Sequence, residues 1–336
     1  MILYKYSFKK TVYCTVFYIA NLLLLGLILL PAVSANITVW WLDNLLNLQL
    51  QWSIVALLLQ FLNHFYFKIY PWPITLAYFS LVTYNLIPLY IKPHTAKEIM
   101  KKTAYSEINV AQLNLQYDNP NLKQLLPTLG NIDFDLLVIQ EASDQQYQLI
   151  NQLGQYYPFN FGISKNEATP SGMAIFSRWP IIEKHNHNLG AQRGHLLEVL
   201  LQHDRLNSPI QLYALHPVSP RTKKLWQTRN SSLKEMARMI ASSPFTHKIV
   251  VGDFNSSPWS AEFKNFQKNT QLKSSADGFG YISSWSYSDN PVLSLISSAY
   301  IDHQLVSKNV SVLNKNSTPI SGSDHQLILT QLQITH

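Results

Sequence analysis

Asp253 and Asn255 flank Phe254 directly after an apolar run, Ile249-Val-Val-Gly252, and Ser323-Asp324-His325 precedes another, Gln326-Leu-Ile-Leu329. Carboxylate, amide and imidazole groups at the ends of buried strands are the groups that hold a divalent cation, a water and a phosphate. The pattern recurs. Asn114 follows Val110-Ala-Gln-Leu113, Glu141 follows Leu136-Leu-Val-Ile-Gln140, His216 follows Leu212-Tyr-Ala-Leu215, and Asp302 with His303 follows Ala299-Tyr-Ile301. Strand ends bring side chains from distant sequence to one rim, where a scaffold fixes them. The chemistry these types suit is phosphate ester hydrolysis. Carboxylate oxygens are hard ligands for Mg2+ or Mn2+, and such an ion polarises a phosphoryl oxygen and stabilises a leaving alkoxide. A carboxylate orients and deprotonates the attacking water, and a histidine held by a carboxylate donates to the phosphoryl oxygens. Each residue also has a purely structural reading. Asp253 and Asn255 suit a turn, Glu141 a helix N-terminus, Asn114 and Asp324 caps, His216 a packed ring before Pro217, and Asp302 the surface.

The elements that would position these residues are short apolar runs broken by turn residues. Strands are predicted at Ile108–Leu113, Leu136–Ile139, Met173–Phe176, Leu196–Leu201, Ile210–Leu215, Lys248–Val251, Ile301–Val306 and Gln326–Leu332. Helices are predicted at Leu122–Leu129, Gln145–Leu153 and Thr222–Ile240, the last with Leu225, Leu233, Met236, Met239 and Ile240 on one face. Strands outnumber helices and the order is mixed, which implies two packed sheets with outer helices rather than an alternating parallel α/β fold.

Seven pieces in this order resemble the endonuclease/exonuclease/phosphatase superfamily, in the manner of its membrane-anchored bacterial-type members. They are Asn109-Val-Ala-Gln-Leu-Asn114, Val138-Ile-Gln-Glu141, Ser171-Gly-Met-Ala-Ile-Phe-Ser-Arg178, His216-Pro217, Gly252-Asp-Phe-Asn255, Tyr300-Ile-Asp-His303 and Ser323-Asp-His325. The resemblance covers roughly 107–334 and implies a four-layered α/β sandwich. It implies that Glu141 is the principal ligand of Mg2+ or Mn2+, with Asn114 beside it and Asp324 as a further metal-side carboxylate. It further implies that Asp253 activates the water, Asn255 bonds the phosphoryl oxygens, and His325, oriented by Asp302, acts as acid or electrophile. His216 would bind the phosphate or protonate the leaving oxygen. Some relatives carry an acid two residues after the first Asn; here that residue is Gln116, which puts a second metal contact in doubt. Ser171–Arg178 reads as a core strand and turn, and His303 has no expected chemical role.

Composition divides the chain. Residues 1–102 hold eight Lys and Arg against two acids, and residues 103–336 hold eighteen against seventeen. The formal charge of +7 is therefore mostly N-terminal, and the nearly neutral remainder gives little general attraction for nucleic acid. Stretches 11–42, 44–67 and 69–91 lack Asp, Glu, Lys and Arg. Each exceeds the ~20 residues needed to cross a hydrocarbon core, and spans are predicted at 11–33, 50–67 and 72–91 within a membrane region 1–91. A buried core hairpin, or for the first run a signal peptide, would pass the same test. A linker is expected over 92–106 and the catalytic domain over 107–336. Lys5, Lys9 and Lys10 keep the N-terminus inside, and loop 34–49 has no Lys or Arg, so three spans would place the domain outside the cytoplasm; Lys92, Lys97, Lys101 and Lys102 after the third span favour the inside, although large domains translocate despite such charges. Cys14 is the single cysteine, which excludes disulfide and thiolate chemistry in the domain.

Arg221, Lys224 and Arg229 follow the His216-Pro-Val-Ser-Pro220 loop and, with Arg193, are candidates to receive an anionic headgroup; a solvated helix face is the plainer reading. Three functions remain open. One is a membrane-anchored, metal-dependent phosphoesterase, its partner the lipid bilayer and its substrate a phosphodiester, phosphomonoester or pyrophosphate, lipid-linked in one version. The second is an anchored nuclease acting on DNA or RNA. The third is an inactive anchored binding module, against which the complete set of site residues argues.

Overall fold

The structure, a computed structural model, describes residues 2–67, 72–91, 105–164, 166–190, 194–288 and 290–335. Three long helices open the chain: α1 (Ile2–Val33), α3 (Gln49–Leu62) and α4 (Trp72–Tyr90), with a short α2 (Trp40–Leu45) in the turn between the first two. They turn polar groups inward. Gln60 Nε2 donates to Asn21 Oδ1 at 2.6 Å, the Tyr78 hydroxyl donates to the Asn21 carbonyl at 2.7 Å, and Asn85 Nδ2 donates to the Ile28 carbonyl at 2.9 Å. Their outer faces are apolar, with Val16, Leu22, Leu23, Leu58, Phe61 and Phe79 all exposed. A helix bundle in water has the opposite arrangement.

Among the described residues, two helical stretches are long and apolar enough to cross a membrane, Val12–Asn36 and Trp40–Phe65. The second begins ten residues before the expected 50, because α2, a 3-10 turn (Leu46–Leu48), α3 and a π-helical turn (Asn63–Phe67) follow one another without a break. The third expected span is helical over the 19 residues of α4 but does not join these two. Its Trp, Thr, Tyr, Asn and Pro residues dilute its apolar content. Residues 92–104 of the expected linker lie outside the described residues, and Tyr105, near its end, already pairs with Thr335 in a sheet.

From there the described residues form fourteen strands. They are β1 (Tyr105–Asn114), β2 (Leu136–Gln140), β3 (Phe159–Phe161), β4 (Ala174–Ser177), β5 (Ile181–Asn188), β6 (His195–Leu201), β7 (Ile210–Leu215), β8 (His247–Asp253), β9 (Lys273–Ser274), β10 (Trp285–Ser286), β11 (Ser298–Ala299), β12 (Asp302–Val306), β13 (Val310–Pro319) and β14 (Gln326–Thr335). The helices are α5 (Leu122–Asn131), α6 (Tyr147–Ile150), α7 (Lys223–Ser242), α8 (Ala261–Thr270) and α9 (Pro291–Ser297). The helix expected over Gln145–Leu153 is thus one α turn continued by a 3-10 turn, Asn151–Gln155.

One six-stranded sheet has the order β13-β14-β1-β2-β4-β3 and the other β5-β6-β7-β8-β12-β9. Each is mixed, with a single parallel pair at its middle, β1 with β2 and β7 with β8. β2, β7 and β8 are buried almost throughout and β1 from Val110 onward, as strands covered on both faces must be. Val110, Val138, Ile175, Val199, Leu212 and Val251 fill the space between the sheets. The outer face of the first sheet packs on α5 through Leu122, Leu126 and Leu129. The outer face of the second packs on α7 and α8 through Leu233, Met236, Phe263 and Phe266. The result is the expected four-layered α/β sandwich. Helix α7 starts where the Thr222 side chain accepts from the Leu225 N–H, an N-cap that satisfies one otherwise orphaned donor.

The N-terminal helices are joined to this sandwich by named contacts. Trp259 Nε1 donates to the Asn85 carbonyl at 3.1 Å, the Gly278 and Gly280 N–H groups donate to the Leu89 carbonyl, and Lys264 Nζ donates to the Pro31 carbonyl at 2.9 Å. The C-terminal ends of α1 and α4 therefore meet the same side of the sandwich.

Candidate active site

Register brings the strand-end residues together. β1 and β2 run parallel with Asn114 opposite Gln140, so Asn114 and Glu141 leave the first sheet at one edge. β7 and β8 run parallel with Leu215 opposite Gly252, so His216 and Asp253 leave the second sheet at the same edge. β12 runs back along β8 with Asp302 opposite Asp253. His325 enters at the start of β14, beside β1. Gly252 sits where the central pair is tightest, since a Cβ there would lie 2.0 Å from the Leu215 carbonyl oxygen.

Asp253 Oδ2 is the meeting point. Asn114 Nδ2 and Asn255 Nδ2 each donate to it at 3.3 Å, and His216 Nε2 and His325 Nε2 lie 3.5 and 3.8 Å away. Asn114 Nδ2 also donates to Glu141 Oε1 at 3.0 Å, and His216 Nε2 lies 3.3 Å from that same oxygen. His325 Nδ1 donates to Asp302 Oδ2 at 2.8 Å, and Gln112 Nε2 donates to Asp302 Oδ1 at 2.8 Å. Ser284 Oγ accepts the Asp302 N–H at 3.0 Å, so the residue is held at its backbone as well as at both carboxylate oxygens. Two acid–histidine pairs, Glu141 with His216 and Asp302 with His325, thus converge on one oxygen.

Two of these residues have left-handed backbones. Glu141 has φ 57° and Asn255 φ 49°. A non-glycine residue there costs about 1–2 kcal/mol, and such outliers concentrate at functional sites. The surroundings hold both turns. The Glu141 and Ala142 N–H groups donate to the Ser171 and Gly172 carbonyls at 3.0 Å, which gives the Ser171–Arg178 segment a role in shaping the Glu141 turn. The Asn255 N–H donates to Asp253 Oδ1 at 2.8 Å, and Asn255 Nδ2 also donates to the Pro217 carbonyl at 3.1 Å.

Charge in the cluster follows from burial and pairing. Burial opposes the charged form of His216, but hydrogen bonds to Asp253 and Glu141 outweigh it and push its pKa up to about 10. Burial raises the Glu141 carboxyl, yet His216 and Asn114 outweigh it and bring its pKa down to about 2. Burial likewise opposes protonation of His325, and the charge of Asp302 overcomes it, raising the pKa to about 9. Asp302 itself is pushed up by burial, with the charge of His325 opposing. The Asp302–His325 pair is therefore ionised near neutrality.

A cleft of about 450 Å³ opens over the cluster, lined by Glu141, Asp253, Asn255, His325, Gln116, Asp324, Trp285 and Arg221. Three further lining residues, Asn44, Asn47 and Leu48, come from the turn between α1 and α3. Sequence reading gave no place in the site to that turn. Its neighbour Asp43 is buried beside α7, where Trp226 Nε1, Ser260 Oγ and the Arg229 guanidinium all donate to it. The signal was present in the sequence: Asp43 is the lone charge that separates two charge-free stretches.

Several expectations are corrected. Arg229, a candidate for headgroup binding, is buried; it bonds Asp43 and donates from Nη1 to the Asn255 carbonyl at 2.6 Å, so it faces the protein and not the cleft. Lys224 is exposed on α7 and does not line the cleft. Arg221 does line it, and Arg193 lies outside the described residues. Asp324 lines the cleft, but its Oδ2 accepts from Trp285 Nε1 at 2.8 Å and it belongs to neither group of potential metal ligands. Those groups are Glu141, His216 and Asp253, and Asp253, Asp302 and His325, with each set of ligand atoms within 4.8 Å of one another. Gln116 Oε1 accepts the Asp324 N–H at 3.1 Å, a bond made by an amide where some relatives hold an acid. His303, which had no expected chemical role, is buried with Nε2 2.8 Å from the Ser256 carbonyl.

A family model described as Endonuclease/Exonuclease/phosphatase family matches residues 111–325. Among solved structures, the chain is similar to a humanized TDP2 of D. rerio carrying 14 mutations, with 17% identity and a TM-score of 0.56 over 67% of this chain and 98% of that one. It is similar to a mannosyl-6-phosphatase of Bacteroides thetaiotaomicron, with 16% identity and a TM-score of 0.51 over 67% and 99%. It is also similar to a variant of Staphylococcus aureus beta toxin with bound magnesium ions, with 14% identity and a TM-score of 0.50 over 67% and 99%. At these identities the likeness is one of fold. Comparison with the curated proteins returns no match.

Proposed function

Because this chain belongs to the endonuclease/exonuclease/phosphatase family, whose members hydrolyse phosphate esters with a divalent metal, we propose that it is a membrane-anchored, Mg2+-dependent phosphoesterase acting on a lipid-linked phosphodiester, phosphomonoester or pyrophosphate. The observation that carries the reading is the convergence of Glu141–His216 and Asp302–His325 on Asp253 Oδ2. The donor set fits the ion. Glu141 and Asp253 offer carboxylate oxygens with the Asn114 amide beside them, and oxygen donors suit Mg2+ or Mn2+ over softer metals. Glu141 would be the principal ligand. Bound there, the ion would polarise a phosphoryl oxygen and neutralise charge on the leaving oxygen.

The chain's own residues account for the proton transfers. Asp253 orients a water and takes its proton as the water oxygen bonds to phosphorus. His325, protonated and held through Nδ1 by Asp302, presents Nε2–H to the phosphoryl oxygens as charge builds there. His216 hands its proton to the leaving oxygen as the ester bond breaks. Asn255 fixes Asp253 and faces the phosphoryl group from the cleft wall.

The inward polar and outward apolar faces of α1, α3 and α4 support anchoring, since helices in lipid keep polar groups at helix–helix contacts. Counting α4 with the two longer apolar stretches gives three crossings, which, with Lys5, Lys9 and Lys10 inside, would put the catalytic domain outside the cytoplasm. A nuclease is less well supported: Arg221 is the single Lys or Arg among the described lining residues, whereas a strand of phosphates calls for several cations. The test is a panel on the full-length protein in nanodiscs with Mg2+, with plasmid DNA and RNA in solution and phospholipid and a polyprenyl pyrophosphate in the nanodisc bilayer. Release of phosphate or headgroup from a lipid is expected. Faster cleavage of DNA or RNA would replace this reading with the nuclease.

A further inference from the structure

The sandwich carries one concentrated apolar surface. Among the described residues beyond 104, seven large hydrophobic side chains are exposed, and four of them are Tyr287, Val292, Leu293 and Ile296, on α9 and the segment leading into it. Tyr287 is 83% and Val292 73% exposed. Exposed apolar residues scattered singly need no explanation, but a cluster marks an interaction surface. The sequence from 274 to 307 contains no Lys or Arg, so no cation skirts this patch from its own segment.

Its position says what covers it. Ser298, the residue after α9, is tied to the membrane helices: Gln51 Nε2 donates to the Ser298 carbonyl at 2.8 Å and to Ser298 Oγ at 3.3 Å. Gln51 is the third residue of α3, and from Ile54 onward the outer face of α3 is apolar and exposed. Those three residues correspond to about 4.5 Å of helix rise. Helix α9 is thus pinned, through Ser298, beside the start of α3, three residues before its exposed apolar face begins. The same two elements bound the cleft. Asn44, Asn47 and Leu48, just before α3, form one side, and Trp285 and Ala299, at the base of the hairpin that carries α9, form another.

We propose that α9 lies in the headgroup–acyl boundary of the leaflet that α1 and α3 enter, holding the mouth of the cleft against that leaflet, and that the substrate is therefore a phosphoester carried on a lipid. The substrate half of this statement rests on the phosphoesterase reading above; the surface half does not. A lipid presented by that leaflet reaches Asp253 without leaving the membrane, with its headgroup between the α1–α3 turn and Trp285. Short amphipathic segments that rest in the interface have this combination of exposed Tyr and aliphatic residues.

The experiment uses the full-length protein in nanodiscs, with Cys14 replaced by Ser and Ile296→Cys labelled with an environment-sensitive fluorophore. Nitroxide lipids labelled at the top of the acyl chain should quench it strongly, and a water-soluble quencher weakly. The opposite order overturns the proposal. Shielding that appears only at high protein-to-lipid ratio also overturns it, and points to a second copy as the occupant. In parallel, Leu293→Asp/Ile296→Asp should reduce turnover of a phospholipid carried in the same nanodisc bilayer at least tenfold, while turnover of a soluble aryl phosphodiester stays within twofold. Equal loss on both substrates shows that α9 acts on the fold and overturns the proposal. Quenching in the expected order with no turnover of either ester confirms the surface and refutes the phosphoesterase reading instead.

Discussion

Asp302→Asn is the substitution whose effect the geometry fixes most closely. The change keeps the shape of the side chain and an oxygen for His325 Nδ1, but removes the charge 2.8 Å from the ring. Asp302 is fully buried, so water cannot replace that charge. His325 now titrates at about 9 against an ordinary value of 6.5, despite burial that opposes its protonation. The difference corresponds to roughly 3 kcal/mol of preference for the imidazolium. Without Asp302, burial is opposed only by Asp253 and Asp324, 3.8 and 3.9 Å from Nε2. If the pKa falls all the way to the ordinary value, the protonated fraction at pH 8 drops roughly 30-fold. The assay is the pH dependence of kcat/KM for a soluble aryl phosphodiester at saturating Mg2+. In the wild type, activity should decline as pH rises through about 9, where His325 loses its proton. In Asp302→Asn that limb should move toward neutrality, with the loss growing from pH 6 to pH 8. A pH-independent loss with the limb still near 9 would refute the argument that Asp302 acts by holding the His325 proton. The sign for stability is the same. A histidine whose folded pKa is raised contributes stability below its ordinary pKa, and that contribution disappears as pH rises through about 9.

Other outcomes follow from individual contacts. Asp43→Ala leaves the buried Arg229 guanidinium, the Trp226 indole and the Ser260 hydroxyl without their shared acceptor; removing one partner of a buried pair costs about 3–5 kcal/mol, and the thermal midpoint of the full-length protein in nanodiscs should fall accordingly. Asp43→Leu combined with Arg229→Met should recover much of that loss, and a double variant no more stable than Asp43→Ala would contradict it. Gly252→Ala places a Cβ 2.0 Å from the Leu215 carbonyl oxygen and should destabilise the domain by on the order of 1–3 kcal/mol, read from denaturant unfolding. Glu141→Gln keeps the side-chain length but removes the principal expected metal charge, so the Mg2+ concentration for half-maximal activity should rise at least tenfold; an unchanged requirement would place the ion elsewhere.

Much of this could be read from the sequence because the central strands are apolar runs ending in polar residues. β7 spans Ile210–Leu215 as expected, and β1, β2, β8 and β12 differ from expectation by a few residues at their ends. The two long strands that were missed, β5 and β13, lie at sheet edges. An edge strand with one exposed face does not need an apolar run, and Glu183-Lys-His-Asn-His-Asn188 has none. Helix α8 was missed for a related reason, since Phe263 and Phe266 are its only large apolar anchors. The residues at strand ends could be identified, but their supports could not. Gln112, which holds Asp302, lies 190 positions away from it in sequence. Arg229 reads as one cation of a solvated face because its partner, Asp43, comes 186 residues earlier, in a region whose composition points to membrane crossing. The left-handed turn at Glu141 was equally hidden, since nothing in Gln140-Glu141-Ala142 requires it; the Ser171-Gly172 carbonyls that hold it arrive from a separate strand connection.

The contribution of the α1–α3 turn to the cleft also decides which molecule to assay. A fragment beginning near residue 103 would lack Asn44, Asn47 and Leu48 and leave Arg229 buried without Asp43. The central claim is that Asp253, with the two acid–histidine pairs around it, hydrolyses a phosphate ester with a divalent ion. Its most direct test is hydrolysis of a soluble aryl phosphodiester by the full-length protein, wild type and Asp253→Ala, with Mg2+ and with EDTA. The expected result is Mg2+-dependent turnover that EDTA abolishes and that Asp253→Ala lowers by at least a thousandfold in protein that still unfolds cooperatively. Turnover by Asp253→Ala at the wild-type rate, or wild-type turnover indifferent to EDTA, would contradict the account.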